Sequence, residues 1–325
     1  MANVYYSEDK KRFFASLKEA LKTQFSGCKR IALKVHFGEP GNTTAFMPAD
    51  IEPITMLLKE LGIGYFLFDS PVVYDSPRNS IKAHLEGAAK KGWARLGTLV
   101  VSDDSLPVKG NYLTYEVCRH LALADGVLVV SHLKGHFCCG FGGAIKNLGM
   151  GALTKKTKGN IHAGGEPVFG AGCTGCGACE RICPVSAITV KGTASLSGSC
   201  VGCSLCSMVC PVHAITPKIA YFDLLLADGA NAAQSQFKKV YYVSFLKNIT
   251  EKCDCAEDSG TLIAHDAGLV HGPDGVALDM ASHDLIVKKE GKDVFLMKNH
   301  KKGTEQIEAA ERFGMGTKEY KLINL

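Results

Sequence analysis

The sequence predicts an α/β fold, a mostly parallel sheet with flanking helices, interrupted by a small cysteine-rich module. Three observations predict it. Short apolar, β-branched runs alternate with stretches of helical periodicity. One cysteine motif recurs 27 residues later (200 − 173). The chain has 325 residues, 46% of them hydrophobic, enough for a substantial core.

The elements follow in order. VYYS reads as a strand, and Ser7 is placed to cap a helix over 9–25 whose Phe13, Phe14, Leu17 and Leu21 share one face. IALKVHF (31–37) reads as a buried strand, and IEPITMLLKELG as a helix ended by Gly62. GYFLFDS is a strand, NSIKAHLEGAAKKG a helix and TLVVS a further strand. GVLVVSHL (126–133) carries the strongest strand signal. Beyond the repeat, AYFDLLLADGANAA is helical and KVYYVSFL (239–246) a strand; TLIAHDAGLV holds another. VALDMASHDLI and TEQIEAAERFG, closed by Gly314, read as helices, and KLINL as a last strand. Strands separated by helices of this length favour parallel pairing. The expected domains are 1–164 and 218–325 as two parts of one α/β unit, with the module at 165–217.

The module is an internal duplication. CTGCGACERICPVSAITV begins at Cys173 and CVGCSLCSMVCPVHAITP at Cys200; 10 of 18 aligned positions are identical. Each copy reads C-x-x-C-x-x-C-x-x-x-C-P. Three closely spaced thiolates wrap one cubane, and the fourth cysteine ligates the other in two-cluster ferredoxins. The spacing assigns Cys173, Cys176, Cys179 and Cys210 to one [4Fe–4S] cluster, and Cys200, Cys203, Cys206 and Cys183 to a second. Gly175, Gly177 and Gly202 allow tight turns, and Ala187, Ile188, Ala214 and Ile215 are placed to cover the clusters. Zinc is the alternative, but four-cysteine zinc sites use two C-x-x-C pairs across a longer loop. The module resembles a bacterial-type ferredoxin of α+β form, which implies one-electron transfer. Between 166 and 218, Glu166 and Glu180 face Arg181, Lys191 and Lys218. That near-neutral balance suits a fixed wire better than a mobile acidic carrier.

Six of the 14 cysteines remain. SHLKGHFCCGFGGAIKNLGMG follows the strongest strand, where ligands of open α/β sheets bind. Its Gly140, Gly142, Gly143 and Asn147 are candidate cofactor-binding residues, because flexible backbone can aim N–H groups at an anion. The G-x-x-x-x-G-K-[ST] order of a phosphate loop is absent. Lys34, His36, His132, Lys134, His136 and Lys146 are candidate catalytic or anion-binding residues at strand ends and in the Gly-rich segment. Asp69, Ser70, His265 and Asp266 end other strands. Cys138, Cys139, Cys253 and Cys255 form two close pairs and are candidates for a further metal or redox site. The alternative for each pair is a small buried hydrophobe.

KVHFGEPGN, the Gly-rich segment, and CDCAEDSG with AHDAGLVHGPDGVALDMASHDLI resemble the domain of unknown function 362 family. The resemblance spans nearly the whole chain, with the ferredoxin module as an insertion seen in some members. It implies an iron–sulfur protein and no particular substrate.

The expected function is therefore electron transfer from two [4Fe–4S] clusters to a small-molecule, cofactor or metal site on the α/β part. The alternatives are an electron carrier docking to a partner oxidoreductase, or a cluster carrier. A redox partner protein or a small-molecule acceptor is expected. A net charge of +5 is too mild to argue for nucleic acid. No apolar run suits a membrane span, the N-terminus lacks a signal core, and cysteine usage fits a reducing, anaerobic cytoplasm.

Overall fold

The computed structural model describes residues 1–325. Its centre is an eight-stranded sheet. The strands are β1 (Ala2–Ser7), β2 (Arg30–Lys34), β3 (Gly64–Asp69), β4 (Leu99–Val101), β5 (Val127–His132), β6 (Val240–Leu246), β7 (Gly268–Gly272) and β8 (Tyr320–Asn324). Their spatial order is β8-β1-β7-β6-β5-β2-β3-β4. Every neighbouring pair is parallel except the two made by β7. The exception has a simple cause. No helix separates β6 from β7, and a strand returning without a crossover must run antiparallel.

Side chains alternate between two cores, as strand geometry requires. Ile31, Leu33, Leu67, Leu128 and Val130 meet Phe13, Leu17, Leu21, Ile51, Ile54 and Leu58 on one face. Ala32, Phe66, Phe68, Val127 and Val129 meet Ile145, Leu148, Leu225, Leu226, Ala277 and Ala281 on the other. With both faces covered, β5 must be apolar at successive positions, which is why it reads so clearly.

Several local expectations shift. The first helix spans Lys10–Gln24, and Asp9 rather than Ser7 caps it, accepting from the Lys11 and Arg12 N–H groups. Strand β2 stops at Lys34, so His36 lies just beyond it. His265 and Asp266 precede β7 instead of ending a strand. Because β7 is antiparallel and Gly268 pairs with Leu246, they still stand at the C-terminal rim of the parallel strands. The Gly-rich segment is no simple loop. It forms a hairpin, Lys134–His136 against Gly140–Gly142, then a helix, Ala144–Gly151.

The cysteine repeats occupy an excursion whose ends are zipped together. Pro167–Phe169 pairs antiparallel with Ile215–Pro217. No helix of the protein is long and apolar enough to cross a membrane.

Candidate functional site

The two cysteine repeats fold alike. Left-handed backbone recurs at equivalent positions: Gly175 and Gly202, Gly177 and Ser204, Ser186 and His213. The Ala187 N–H donates to the Cys183 sulfur at 3.2 Å, and the Ala214 N–H to the Cys210 sulfur at 3.3 Å. Further N–H groups reach Cys173 from Ala194 and Cys200 from Gly202, each at 3.3 Å. The N–H groups of Ala194 and Gly175 hold the Cys173 thiol below its ordinary value. Such N–H···S contacts stabilise anionic sulfur.

Cys173, Cys176, Cys179 and Cys210 line one small cavity together with Val190, Ala194 and Ile215. Four thiols around one apolar space suit an iron–sulfur cubane by donor chemistry. Cys183 lies close enough to Cys200 and Cys203 to raise their thiol pKa values electrostatically, a smaller effect than their burial. Cys176 is exposed, whereas Cys203 and Cys206 are buried.

A second cavity, of about 600 Å³, opens at the C-terminal rim of the sheet. Lys34, His36, Asp69, Ser70, Ser131 and His132 reach it from β2, β3 and β5 and their continuations. His136, Cys138, Gly142, Gly143, Lys146 and Asn147 enter from the Gly-rich segment, Cys253 and Cys255 from the β6–β7 connection. The same cavity touches Cys200 and Val201 of the second repeat. Gly140, Lys134 and Cys139 stand outside its lining.

The floor near β2 and β3 is an ion network. Asp69 contacts Lys34 at 3.2 Å and Arg78 at 3.3 Å, and Arg78 reaches Glu39 at 3.1 Å. Burial alone would push the Asp69 carboxyl up, but Lys34 and the other cations more than offset it and hold it well below the carboxylate range. His36 is driven well below the imidazole range by burial. Its Nδ1 accepts from the Gly38 N–H at 3.0 Å, which leaves the ring proton on Nε2.

Lys134 is used internally. Its Nζ binds the Thr44 hydroxyl at 2.9 Å and the Thr250 hydroxyl at 3.0 Å, with Asp254 at 3.4 Å. His132 is used too: Nδ1 meets Asp254 and Nε2 meets the Lys247 carbonyl, both at 2.8 Å. With both ring nitrogens engaged, His132 has none free for a metal. The adjacent cysteines part ways. Cys138 lines the cavity, while the Cys139 sulfur bonds the Phe141 carbonyl at 3.1 Å and burial pushes its thiol up to about 12.

Cys253 and Cys255 are joined as a disulfide. Their sulfurs and one His136 nitrogen lie within 4.8 Å of one another. As a disulfide the pair offers no thiolate; only its reduced form would give this trio a metal-binding character.

The glycines have their own anion. The carboxylate of Asp279 accepts from the Ala144 N–H at 2.7 Å and the Ile145 N–H at 2.9 Å. It takes, at a helix N-terminus, the N–H groups of the Gly-rich segment that the sequence assigns to a bound anion. A Cβ on Gly143 would sit 2.3 Å from Asp279 Oδ1, so this glycine serves the internal contact. Asn147 donates to the Val130 carbonyl at 3.0 Å and the Ser131 hydroxyl, fixing β5 to the helix.

Sequence reasoning missed Arg78, Lys158 and His162. Lys158 lines the cavity with its Nζ on the Ser70 hydroxyl at 2.7 Å. His162 holds the Val201 carbonyl at 2.7 Å, tying the helix Lys155–Gly164 to the second repeat. Neither belongs to a recognisable motif, and only the unforeseen helix brings both to the cavity.

Residues 31–284 match the family described as a domain of unknown function, DUF362. The chain belongs to that family. No curated protein matches it. Among solved structures, the lactate racemase apoprotein of Thermoanaerobacterium thermosaccharolyticum is similar at 12% identity and a TM-score of 0.39, over 75% of this chain and 50% of that one. A Thermotoga maritima protein is similar at 8% identity and a TM-score of 0.47, over 95% of this chain and 60% of that one. The DUF362 chain thus spans less than two thirds of either structure. Its cysteine count and the His136 group fit an iron–sulfur or metal role.

Proposed function

We propose that this DUF362 protein is an iron–sulfur electron-transfer protein that delivers single electrons to a site in the rim cavity. Residues 165–217 form the ferredoxin module, inserted between residues 1–164 and 218–325 of the α/β unit. Cys173, Cys176, Cys179 and Cys210 would hold one [4Fe–4S] cluster, and Cys200, Cys203, Cys206 and Cys183 the other. The clusters supply one-electron chemistry when bound.

The observation that carries this reading is the cavity itself. One wall bears Cys200 of the second repeat, and the other bears the strand-end residues Lys34, His36 and Asp69. A bound acceptor would therefore lie beside a cluster ligand. The protein's own residues hold the acceptor and exclude bulk water: Lys146 and Lys158 supply positive charge, and Met150 and Phe222 supply apolar wall.

A second reading, a carrier that docks to a partner oxidoreductase, is favoured by exposure at both repeats. Cys176 is exposed, and so are Val185 and Val212, each following a motif proline. The test is anaerobic purification followed by iron and sulfide analysis and electron paramagnetic resonance of the reduced protein. About eight irons per chain and two interacting reduced clusters are expected. A protein that purifies anaerobically with zinc and without sulfide sinks both readings.

A further inference from the structure

We propose that the Cys253–Cys255 disulfide is a redox-active pair and the immediate acceptor of the electrons. This rests on the electron-transfer reading above and names its end point.

The first argument is presentation. A tight turn, closed by the Ala256 N–H on the Cys253 carbonyl at 3.1 Å, brings the two cysteine Cα atoms to 5.3 Å and turns both sulfurs toward each other. The middle residue, Asp254, is buried and anchored: to His132 at 2.8 Å, to Lys134 at 3.4 Å and to the Phe46 N–H at 3.3 Å. The backbone is held as well. The Glu39 N–H donates to the Asp254 carbonyl at 2.9 Å, and the Tyr74 hydroxyl to the Cys255 carbonyl at 3.0 Å. None of these contacts involves a sulfur. The pair can open to a dithiol while its loop stays in place.

Charge is the second argument. Lys146 Nζ lies 3.5 Å from the Cys253 sulfur and 4.0 Å from the Cys255 sulfur. Lys146 forms no ion pair with a carboxylate, so its charge is directed at the sulfurs. An ammonium there favours the thiolate that leaves when the bond opens.

The third argument is that the bond has little structural value. It closes a loop of three residues, and entropic stabilisation by a cross-link is smallest for the smallest loops. None of the other twelve cysteines forms a disulfide. A single disulfide in a thiol-rich chain is characteristic of a transient, catalytic bond.

The step balances simply. One S–S bond breaks, two electrons enter, and two protons come from water in the open cavity. Two thiols form. The reductant is a low-potential one-electron donor acting twice; two clusters in one chain would hold both electrons at once. The pair thereby converts one-electron delivery into a two-electron store.

The test uses the full, cluster-loaded chain, reduced anaerobically with photoreduced deazaflavin and quenched with iodoacetamide. Mass spectrometry follows the peptide carrying Cys253 and Cys255. Before reduction it takes up no label; afterwards it takes up two. The visible cluster absorption bleaches and recovers as the label appears. The Lys146→Met variant keeps its clusters and labels roughly tenfold more slowly. Full labelling before reduction overturns the proposal, as does a blocked peptide beside clusters that stay bleached. So does a metal whose removal by a chelator restores labelling without any reductant. A preparation without cluster absorption overturns the wider reading as well, and the same cuvette tells the cases apart.

Discussion

Cys210 lines the same small cavity as Cys173, although the two belong to different copies of the repeat. The crossing has a backbone cause. After Cys183 and after Cys210 the chain turns through the left-handed residues Ser186 and His213, and the following alanine N–H folds back onto each sulfur. On the proposed two-cluster reading, Cys183→Ser should therefore damage the cluster assigned to Cys200, Cys203 and Cys206 first. Cys210→Ser should damage that of Cys173, Cys176 and Cys179. Each single variant is expected to lose about four of eight irons, leaving one residual resonance signal that differs between the two variants. Identical residual spectra would overturn the crossed assignment.

The second repeat is pinned to the α/β unit by a buried ion pair. Lys301 is fully buried, contacts the Asp223 carboxylate and donates to the Cys203 carbonyl at 2.8 Å. Removing one partner of such a pair leaves an uncompensated charge, at a cost of about 3–5 kcal/mol. Lys301→Met is predicted to lose stability of that order in anaerobic urea titrations. The double variant Lys301→Met with Asp223→Leu should regain most of it. A single variant that unfolds with the wild-type midpoint contradicts this account.

Much of this architecture is legible in the sequence, and the exceptions have physical reasons. Strand β5 is clear because both faces are buried, and the cysteine repeat because its two copies share spacing and left-handed turn positions. The β7 direction is hidden because it depends on a missing crossover helix, a fact about β6–β7 together and not about either strand. Site residues divide in the same way. Lys34 and His36 follow from standing at a strand end, but the sequence cannot say that Lys134 would be consumed by Thr44, Thr250 and Asp254. The Gly-rich segment does present N–H groups to an anion. The anion is Asp279, more than a hundred residues downstream, which only the tertiary fold supplies.

That internal acceptor yields a pH prediction. Burial pushes the Asp279 carboxyl up to about 7, and the Ile145 and Ala144 N–H groups pull against it. An unfolded aspartate titrates near ~4. Between those values the folded protein holds a proton that the unfolded chain has lost, so stability falls as pH rises across the window. The ceiling is about 4 kcal/mol. Asp279→Asn keeps one acceptor oxygen and removes the titration. Wild type and variant should diverge in urea midpoint between pH 5 and 7, the wild type declining relative to the variant; parallel profiles would contradict the assignment.

Lys158 makes the last case. It is buried, lines the cavity, and bonds the Ser70 hydroxyl without forming an ion pair with any carboxylate. Burial lowers its ammonium to about 8. An unfolded lysine titrates near ~10.4, so the folded state is penalised for carrying the charge below pH 8. A bound anion would offset that penalty. Inorganic phosphate and malonate are therefore expected to raise the melting temperature at pH 7. The effect should shrink as pH rises through about 8, where the lysine loses its proton. Lys158→Met should melt higher than wild type without anion, because a buried charge has been removed, and should respond less to either anion. An anion shift that is equal at pH 7 and pH 9.5, and equal in the variant, would show that Lys158 is not the charge that greets a ligand entering the cavity.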